Sequence, residues 1–300
     1  MWDCKPKLVG GEQELVLDNL HYGVTNSGRS SLRWALDAMN LKNKKILVPD
    51  FICQVVIDVL GELDIQIEFY RINSDLSFHL SREVLNKVDA VYLVRYFGEN
   101  TKSLQSALDT LSLPFILDDV FGISRPEFEN SNHWAYFNSL RKITTISDYS
   151  QLISNRELKK VEFGDLKAFS ELKYYAKDRK AKYLSDIGEV DESSYLNSFL
   201  LAEKTLDSAF GIYPPSGRSC ALVNMFYQNV EHEASHRRKN LSLAKALLPK
   251  SFYVDIDPQF PSFLPIILKN RDAVRQKLAQ RHIFLAVHWP HLSVTPNQLS

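Results

Sequence analysis

Short apolar runs alternate with longer amphipathic stretches between about residues 28 and 140. The apolar runs have the length of buried strands, and one of them alternates polar and apolar side chains as a half-buried strand does. The stretches between them have helical periodicity. Strands that alternate with helices need crossover connections, so the sequence predicts an α/β fold with a mainly parallel sheet covered by helices on both faces. The predicted strands lie at residues 45–49, 65–72, 90–94 and 115–117, and the predicted helices at residues 51–60, 80–87 and 101–111.

The pattern changes in the second half of the chain, where charged and aromatic residues mix without a clear period from about residue 155 to 180. A long helix is predicted at residues 220–248. We expect a large α/β domain over residues 1–214 and a smaller α+β domain over residues 215–300. The segments after the long helix are predicted as a strand, a helix and a strand, at residues 261–268, 271–280 and 283–287.

Composition narrows the function classes. The chain has 36 Lys and Arg against 36 Asp and Glu, so it has no basic footprint for nucleic acid. No apolar run has the length of a membrane span, and the N-terminus lacks the apolar core of a signal peptide. Cys4, Cys53 and Cys220 lie far apart in the sequence, which argues against a disulfide framework and favours a cytoplasmic protein. The 11 glycines are about half of average usage, so any function that needs a glycine-rich phosphate loop has to account for this shortage.

Small polar residues stand before a helical segment near the N-terminus. Gly28, Arg29 and Ser30 lie at the start of this helix, where free amides and hydroxyls suit an anion such as phosphate. An ordinary serine N-cap is the alternative explanation of the same residues.

Two charged residues follow the central predicted strands. Asp119 comes directly after the strand at residues 115–117, where a carboxylate can hold a metal, orient a histidine or pair with a protonated ring nitrogen. Lys142 stands beside Arg141, so burial and a cationic neighbour would lower the pKa of its amine and suit it to Schiff-base chemistry. A solvated turn for Asp119 and a surface Arg-Lys pair for Lys142 are the alternatives.

The segment His232-Glu233-Ala234-Ser235-His236 matches the H-E-x-x-H pattern of zinc peptidases. On a helix the two histidines share one face, and the glutamate would serve as general base. The helix continues into a heavily charged stretch, and no third ligand is evident downstream, so this interpretation stays a remote alternative. The chain has no G-x-S-x-G, Walker, G-x-G-x-x-G or C-x-x-C motif. Serine hydrolase, P-loop and classical dinucleotide-binding functions therefore lack their motifs.

Several segments occur in a fixed order along the chain. The chain reads Ser-Gly-Arg-Ser-Ser-Leu at residues 27–32, Val-Pro-Asp-Phe at 48–51, Asp-Asp at 118–119 and Ser-Leu-Arg-Lys at 139–142. Further segments of the same series lie at residues 94–98, 237–240, 263–272 and 283–290. Taken in order, these segments resemble the sugar aminotransferases of the DegT/DnrJ/EryC1/StrS group, which have Ser-Gly-Thr-x-Ala-Leu at the first of them.

The resemblance implies a fold-type-I transferase that depends on pyridoxal 5'-phosphate (PLP). Lys142 would bind PLP covalently and move the proton between carbons, and Asp119 would pair with the pyridinium nitrogen. The remaining positions that the resemblance assigns to the cofactor include the helix start, an aromatic stacking residue and a serine, namely Gly28, Arg29, Ser30, Phe51 and Ser139. The usual stacking position aligns better with Cys53. No metal ligand is implied.

The function implied by the resemblance is amino transfer from an amino-acid donor to a keto sugar, nucleotide-linked, in the biosynthesis of surface polysaccharide or glycan. A homodimer with the cofactor site at the subunit interface is also implied. The chain departs from the family at Arg29, at Gly122, where a Gln or His is usual, and at Tyr149 and Ser150, where paired glycines are usual. These departures motivate a second hypothesis, a non-catalytic relative that acts as a binding or scaffold subunit.

Overall fold

The computed structural model describes residues 18–186 and 190–289 and contains one seven-stranded sheet with the strand order β1-β7-β6-β5-β4-β2-β3. Five neighbouring strands from β6 to β3 are parallel, while β7 runs antiparallel to both β6 and β1. The predicted mainly parallel α/β sheet is therefore confirmed. The strands are β1 (His21–Thr25), β2 (Lys45–Pro49), β3 (Gln66–Tyr70), β4 (Ala90–Val94), β5 (Phe115–Asp119), β6 (Trp134–Asn138) and β7 (Ser150–Ser154).

Helices cover both faces of this sheet, as predicted. Successive side chains of β4 point to opposite faces, so Tyr92 and Val94 belong to one hydrophobic core and Val91 and Leu93 to the other. The first core includes residues of the helices α1, α2 and α7, and the second includes residues of α4. The helices are α1 (Gly28–Ala38), α2 (Gln54–Gly61), α3 (Arg82–Leu85), α4 (Lys102–Thr110), α5 (Lys167–Leu184), α6 (Glu192–Asp207), α7 (Gly217–Leu247) and α8 (Arg271–Ala279).

The predicted strands differ from the observed ones mainly where polar residues are buried. β2 and β4 have the predicted bounds, whereas β5 continues two residues beyond the apolar run and includes Asp118 and Asp119. The sequence pattern ended this strand too early because both carboxylates are buried and find hydrogen-bond donors inside the protein. β1, β6 and β7 were not predicted as strands.

After β7 the described part of the chain is mainly helical. α5 and α6 pack against each other, and α7 extends over 31 residues, close to the long helix predicted from the pattern. The two strands predicted at residues 261–268 and 283–287 are wrong, because the structure has only an isolated bridge between Tyr253 and Ile266 there. Pro261 and Pro265 cannot donate ladder hydrogen bonds, and residues 283–287 have no neighbouring strand in the described part of the chain.

Within residues 18–186 and 190–289, no helix is both long and apolar enough to cross a membrane. The two cysteines in that part of the chain, Cys53 and Cys220, are free, in agreement with the expectation of no disulfide framework. Cys4 lies outside the described residues, as does the last residue of the matching segment at 283–290.

Candidate functional site

A cavity opens at the carboxyl edge of the parallel strands, between β4, β5, the start of α1, the start of α2 and the turn after β6. Ligands of open α/β sheets bind at this edge, because the loops that leave the parallel strands converge there. Charged and polar side chains in its lining come from different elements. They are Arg29, Cys53, Tyr92, Asp118, Ser139, Arg141 and Lys142, and apolar residues with Gly28 and Trp289 complete the wall.

Lys142 ends a short 3-10 helix, Leu140–Lys142, that follows β6 directly. Lys142 is exposed toward the cavity. The protein atoms around its amine displace water, and together with the Arg141 guanidinium they lower the pKa of that amine. Among the described residues its ammonium has no hydrogen-bond or ion-pair partner and only faces the Phe121 ring, at 5.6 Å. This amine is therefore free to react with a ligand in the cavity.

Asp118, rather than Asp119, faces this cavity. The two residues are neighbours on β5, so their side chains point to opposite faces of the sheet. Asp118 accepts hydrogen bonds from the Tyr92 hydroxyl at 2.7 Å and from the Val120 amide at 3.1 Å. Burial raises the pKa of the Asp118 carboxyl, while these two hydrogen bonds and the positive charge of Lys142 partly oppose the rise.

Asp119 lies on the other face of the sheet in a separate polar cluster. Its Oδ2 atom accepts hydrogen bonds from Arg95 Nη1 at 3.1 Å and from the Tyr136 hydroxyl at 3.3 Å. Burial raises the pKa of Asp119 to about 7 despite the Arg95 guanidinium. A Cβ atom at Gly122 would lie 2.0 Å from Asp119 Oδ2, so this packing admits no larger residue at position 122.

The start of α1 reaches the cavity at Gly28 and Arg29. A Cβ atom at Gly28 would be 3.3 Å from the side chains of Val120 and Phe137, so glycine lets the helix start approach the sheet. Ser30 does not line the cavity, because its hydroxyl donates to Asn26 at 2.9 Å, away from the lining. Of the three residues predicted to hold a phosphate, Gly28 and Arg29 therefore line the cavity and Ser30 does not.

A row of hydroxyls fixes the helix start to β7. Thr25 and Ser31 share a hydrogen bond of 2.8 Å, and Ser31 shares another of 2.8 Å with Ser150. The Ser150 hydroxyl also donates to the Asn138 carbonyl. Ser150 occupies one of the positions where the resembling family has glycine, and here its side chain joins α1 to two strands.

Unpaired hydrogen-bond donors collect around the cavity. Arg29 pairs with Asp207 of α6 through Nη2, and Arg141 pairs with Glu203 of α6 at 3.0 Å through Nη1. The Nη1 atom of Arg29, the Nε atom of Arg141 and the Ser139 hydroxyl are buried without a partner. Since buried polar groups are normally hydrogen-bonded, these atoms fit an anionic ligand such as a phosphate group.

Aromatic rings close one side of the cavity. Trp289 is part of the lining, and its ring contacts Phe51 with the centroids 4.9 Å apart. Phe51 stacks on Tyr96 at 5.3 Å and is itself not part of the lining, while Cys53, which caps α2, is. A ring-shaped ligand in the cavity would therefore meet Cys53 and Trp289 before Phe51.

The structure brings four of the predicted site residues to one cavity, namely Gly28, Arg29, Ser139 and Lys142, and it leaves Ser30, Phe51 and Asp119 off it. Sequence reasoning missed Asp118, Tyr92, Val120 and Trp289. The alternation of side chains along β5 carried the signal for Asp118, but it required knowing that the strand includes both acids.

The H-E-x-x-H segment lies on α7. Glu233 forms an ion pair with Arg237 at 2.7 Å and is not free to act as a base on a metal-bound water. In the described part of the chain, no group of three or more His, Cys, Asp and Glu side chains could hold a metal ion. A zinc peptidase site is therefore unsupported.

Comparison with solved structures identifies the fold. DesV of S. venezuelae has a TM-score of 0.56 at 14% identity, over 93% of this chain and 72% of that chain. PseC of Helicobacter pylori, an aminotransferase involved in the biosynthesis of pseudoaminic acid, has a TM-score of 0.60 at 16% identity, over 91% and 73%. A DegT DnrJ EryC1 StrS aminotransferase from Brucella abortus has a TM-score of 0.56 at 13% identity, over 90% and 71%.

No protein-family model matches the sequence, and no curated protein is significantly similar to it. At these identities the likeness to solved structures concerns the fold, and it confirms at that level the resemblance predicted from the sequence. The chain has the fold of the fold-type-I PLP-dependent aminotransferases, and sugar aminotransferases of the DegT/DnrJ/EryC1/StrS group are among its structural neighbours.

Proposed function

We propose that this protein is a cytoplasmic PLP-dependent aminotransferase that moves an amino group from an amino-acid donor to a keto sugar, nucleotide-linked, in the biosynthesis of surface polysaccharide or glycan. One observation carries the proposal: the unpartnered amine of Lys142 and the carboxylate of Asp118 face the same cavity. An amine and a carboxylate that face one cavity suit a cofactor that has both an aldehyde and a pyridine nitrogen.

The residues of the cavity fit PLP. The helix start at Gly28 and Arg29, with the unpaired Ser139 hydroxyl and the two arginines, would hold the phosphate. Asp118 would pair with the pyridine nitrogen, and Tyr92 would keep this carboxylate in place. When bound, PLP supplies an electron sink that stabilises negative charge on the substrate carbon.

Asp118 replaces Asp119 in this assignment, because only Asp118 lies on the cavity. Tyr92 and the Val120 amide both donate hydrogen bonds to Asp118, and these bonds stabilise its carboxylate form against the effect of burial. A carboxylate held in this way accepts the proton of a cationic ring nitrogen through a charge-assisted hydrogen bond.

Lys142 would bind the aldehyde carbon and later hold and move a proton at its Nζ atom. Loss of surrounding water and the Arg141 guanidinium lower the pKa of this amine, so a larger fraction is neutral near pH 7 than in a lysine of ordinary pKa. A neutral amine is both the nucleophile and the base that these two roles need. Trp289 and Phe51 would shield this amine from bulk water on one side.

The substrate class rests on the structural neighbours. They include the PseC aminotransferase and the sugar aminotransferase CalS13, which supports a sugar as the amino acceptor here. A homodimer with the cofactor site at the subunit interface is part of the same proposal.

The first test is cofactor uptake. Purified protein incubated with PLP is expected to gain the visible absorption of PLP bound covalently to a lysine amine. Lys142→Ala should abolish this absorption, and Lys44→Ala, which removes an exposed lysine, should keep it. A wild-type protein that stays colourless, or a Lys142→Ala variant that still gains the absorption, would contradict the proposal.

A specific observation favours a non-catalytic binding subunit as the second candidate. The residue three positions after the acid is Phe121 or Gly122, depending on which aspartate is counted, and neither has the polar side chain that contacts the ring hydroxyl in the resembling family. Single-turnover measurements with glutamate or glutamine as donor separate the two candidates. Loss of the visible absorption on adding the donor supports the enzyme, whereas cofactor uptake without this change supports the binding subunit.

A further inference from the structure

The exposed face of α7 carries a histidine pair that the proposed function does not use. His232 and His236 are one helical turn apart, and their Nε2 atoms lie 3.3 Å from each other. Their rings meet edge to face with centroids 4.6 Å apart. Both residues are exposed on the outer side of the helix and do not line the cavity. The two Nε2 atoms therefore share a hydrogen bond, on two residues that are both exposed.

The separation of the two nitrogen atoms fits one shared metal ion. Imidazole nitrogens bind Zn²⁺ at about 2.0–2.1 Å, and two such bonds with their nitrogens 3.3 Å apart enclose an angle of roughly 105–110°, which is the tetrahedral value. Histidines at positions i and i+4 lie on the same face of a helix, and at this spacing two side chains can reach a common ion. No change of backbone is needed to form this chelate.

The neighbours of the pair on α7 are compatible with a cation. Residues spaced by four along this face, Gln228 and Asn240, are exposed and uncharged. Arg238 donates to the Gln259 carbonyl at 2.9 Å, and Arg237 forms its ion pair with Glu233, so both guanidiniums are held by other groups. Lys239 follows His236 by three residues, and it is exposed.

We propose that His232 and His236 form a two-histidine chelate for a borderline divalent transition-metal ion on the surface of α7. Two imidazoles select ions such as Cu²⁺, Ni²⁺ and Zn²⁺ over the hard ions Mg²⁺ and Ca²⁺, which prefer oxygen ligands. Water completes the coordination shell, because Glu233 is bound to Arg237 and the described residues include no cluster of three ligands. The ion bridges two side chains that are one turn of α7 apart, and it takes no part in peptide hydrolysis.

Calorimetric titration of the full-length protein with Ni²⁺ tests this site, with Mg²⁺ as the negative control ion. We expect one Ni²⁺ per chain and no heat of binding for Mg²⁺. His232→Gln and His236→Gln should each weaken Ni²⁺ binding roughly tenfold or more, because one of the two coordinate bonds is lost. His79→Gln removes another exposed histidine and should leave Ni²⁺ affinity unchanged.

Spectroscopy separates this site from binding elsewhere. The electron paramagnetic resonance spectrum of the Cu²⁺ complex should show coupling to two imidazole nitrogens, and to one in either variant. Circular dichroism checks that the variants keep their helix content. Absence of Ni²⁺ binding by the wild type, or binding that survives both substitutions, would overturn the proposal. This outcome is independent of PLP uptake, which depends on Lys142.

Discussion

Asp118 and Asp119 are adjacent in sequence, but their side chains lie in different chemical environments. They are adjacent and both buried, yet one accepts a hydrogen bond from Tyr92 on the cavity side and the other from Arg95 on the opposite face. The family resemblance, read along the sequence, selects the second acid of the pair. The pleat of β5 places the first acid beside Lys142, because side chains alternate between the faces of a strand.

The first prediction compares these two acids. Asp118→Asn should reduce the rate of the single-turnover reaction with glutamate on the order of a hundredfold, because an amide cannot balance a cationic ring nitrogen. Asp119→Asn should change this rate less than a few-fold, since residue 119 does not reach the cavity. Stopped-flow absorbance after PLP loading measures both rates. A larger loss in Asp119→Asn than in Asp118→Asn would return the pyridinium role to Asp119.

The second prediction concerns pH and stability. Asp119 has an ordinary pKa of 3.8 and one of about 7 in the folded protein, so the folded state holds this proton more tightly than the unfolded chain. Protonated Asp119 therefore stabilises the folded state fully below pH 4, and this stabilisation is lost as the pH rises to about 7. At about 1.4 kcal/mol per pKa unit, the loss in the free energy of unfolding is at most about 4 kcal/mol. Asp119→Asn, which cannot ionise, lacks this loss.

Urea unfolding of the wild type and of Asp119→Asn between pH 4 and pH 8 measures this difference. The free energy of unfolding of the wild type should fall relative to that of the variant as the pH rises, because all other groups are common to both proteins. A difference that stays constant over this range would show that Asp119 titrates normally in the folded state.

At the scale of elements, two helices hold the loop that follows Lys142. Lys177 of α5 donates to the carbonyls of Thr144, Thr145 and Ile146 at 2.9–3.4 Å. Arg237 of α7 donates to the Ile143 carbonyl at 2.9 Å. These four consecutive carbonyls receive no hydrogen bonds from strand pairing, so the two cations replace a regular backbone partner.

The third prediction tests this support. Lys177→Met leaves the three carbonyls without their donor, so it should lower the free energy of unfolding by about 2 kcal/mol and slow the reaction of Lys142 with PLP. Lys177→Arg should restore most of both losses, because a guanidinium also donates several hydrogen bonds. The rate at which the visible absorption appears is the functional readout. Normal kinetics in Lys177→Met would show that the loop is held without Lys177.

The N-terminus of α7 is fastened to the same region by a buried carboxylate. Asp148 lies between the lysine loop and β7, and it accepts hydrogen bonds from Ser170 at 2.6 Å and from the amide and hydroxyl of Ser216 at 2.6 and 2.8 Å. Ser216 is the N-cap of α7, where a negative charge is favoured by the helix dipole.

At the scale of the molecule, the second half of the chain completes the site on the sheet. α6 supplies the carboxylates that pair with Arg29 and Arg141, and the segment after α8 supplies Trp289. α7 shares the first hydrophobic core with the sheet through Val223 and Ala234. Because α7 belongs to the same core as the sheet, the predicted division into domains of residues 1–214 and 215–300 stays a prediction.

The fourth prediction concerns assembly. The resemblance predicts a homodimer, and sedimentation equilibrium of the PLP-loaded protein should give twice the mass of one chain. If the cofactor site lies at the subunit interface, dilution to a monomer should also release PLP and reduce the visible absorption. A monomer that keeps its bound PLP would contradict an interfacial site.

Much of the fold could be predicted from the sequence, because strands buried on both faces are continuous apolar runs. β2 and β4 were predicted with their exact bounds, and β5 was found but ended early at its acids. β1 and β7 were not predicted, since each has only two apolar residues among small or polar ones, and β6 was not predicted although it is largely apolar and fully buried. The strands expected near the C-terminus were wrong because an apolar segment alone does not supply a pairing partner.

The sequence by itself determined the alternation of strands and helices, the reactive lysine candidate and the glycine at the start of α1, because these depend on local pattern and residue chemistry. Only the tertiary structure decided which aspartate faces Lys142, that Cys53 and Trp289 rather than Phe51 line the cavity, and that Glu233 is bound to Arg237. Those outcomes depend on the direction of a side chain from its strand or helix and on residues far apart in sequence, which no local pattern contains.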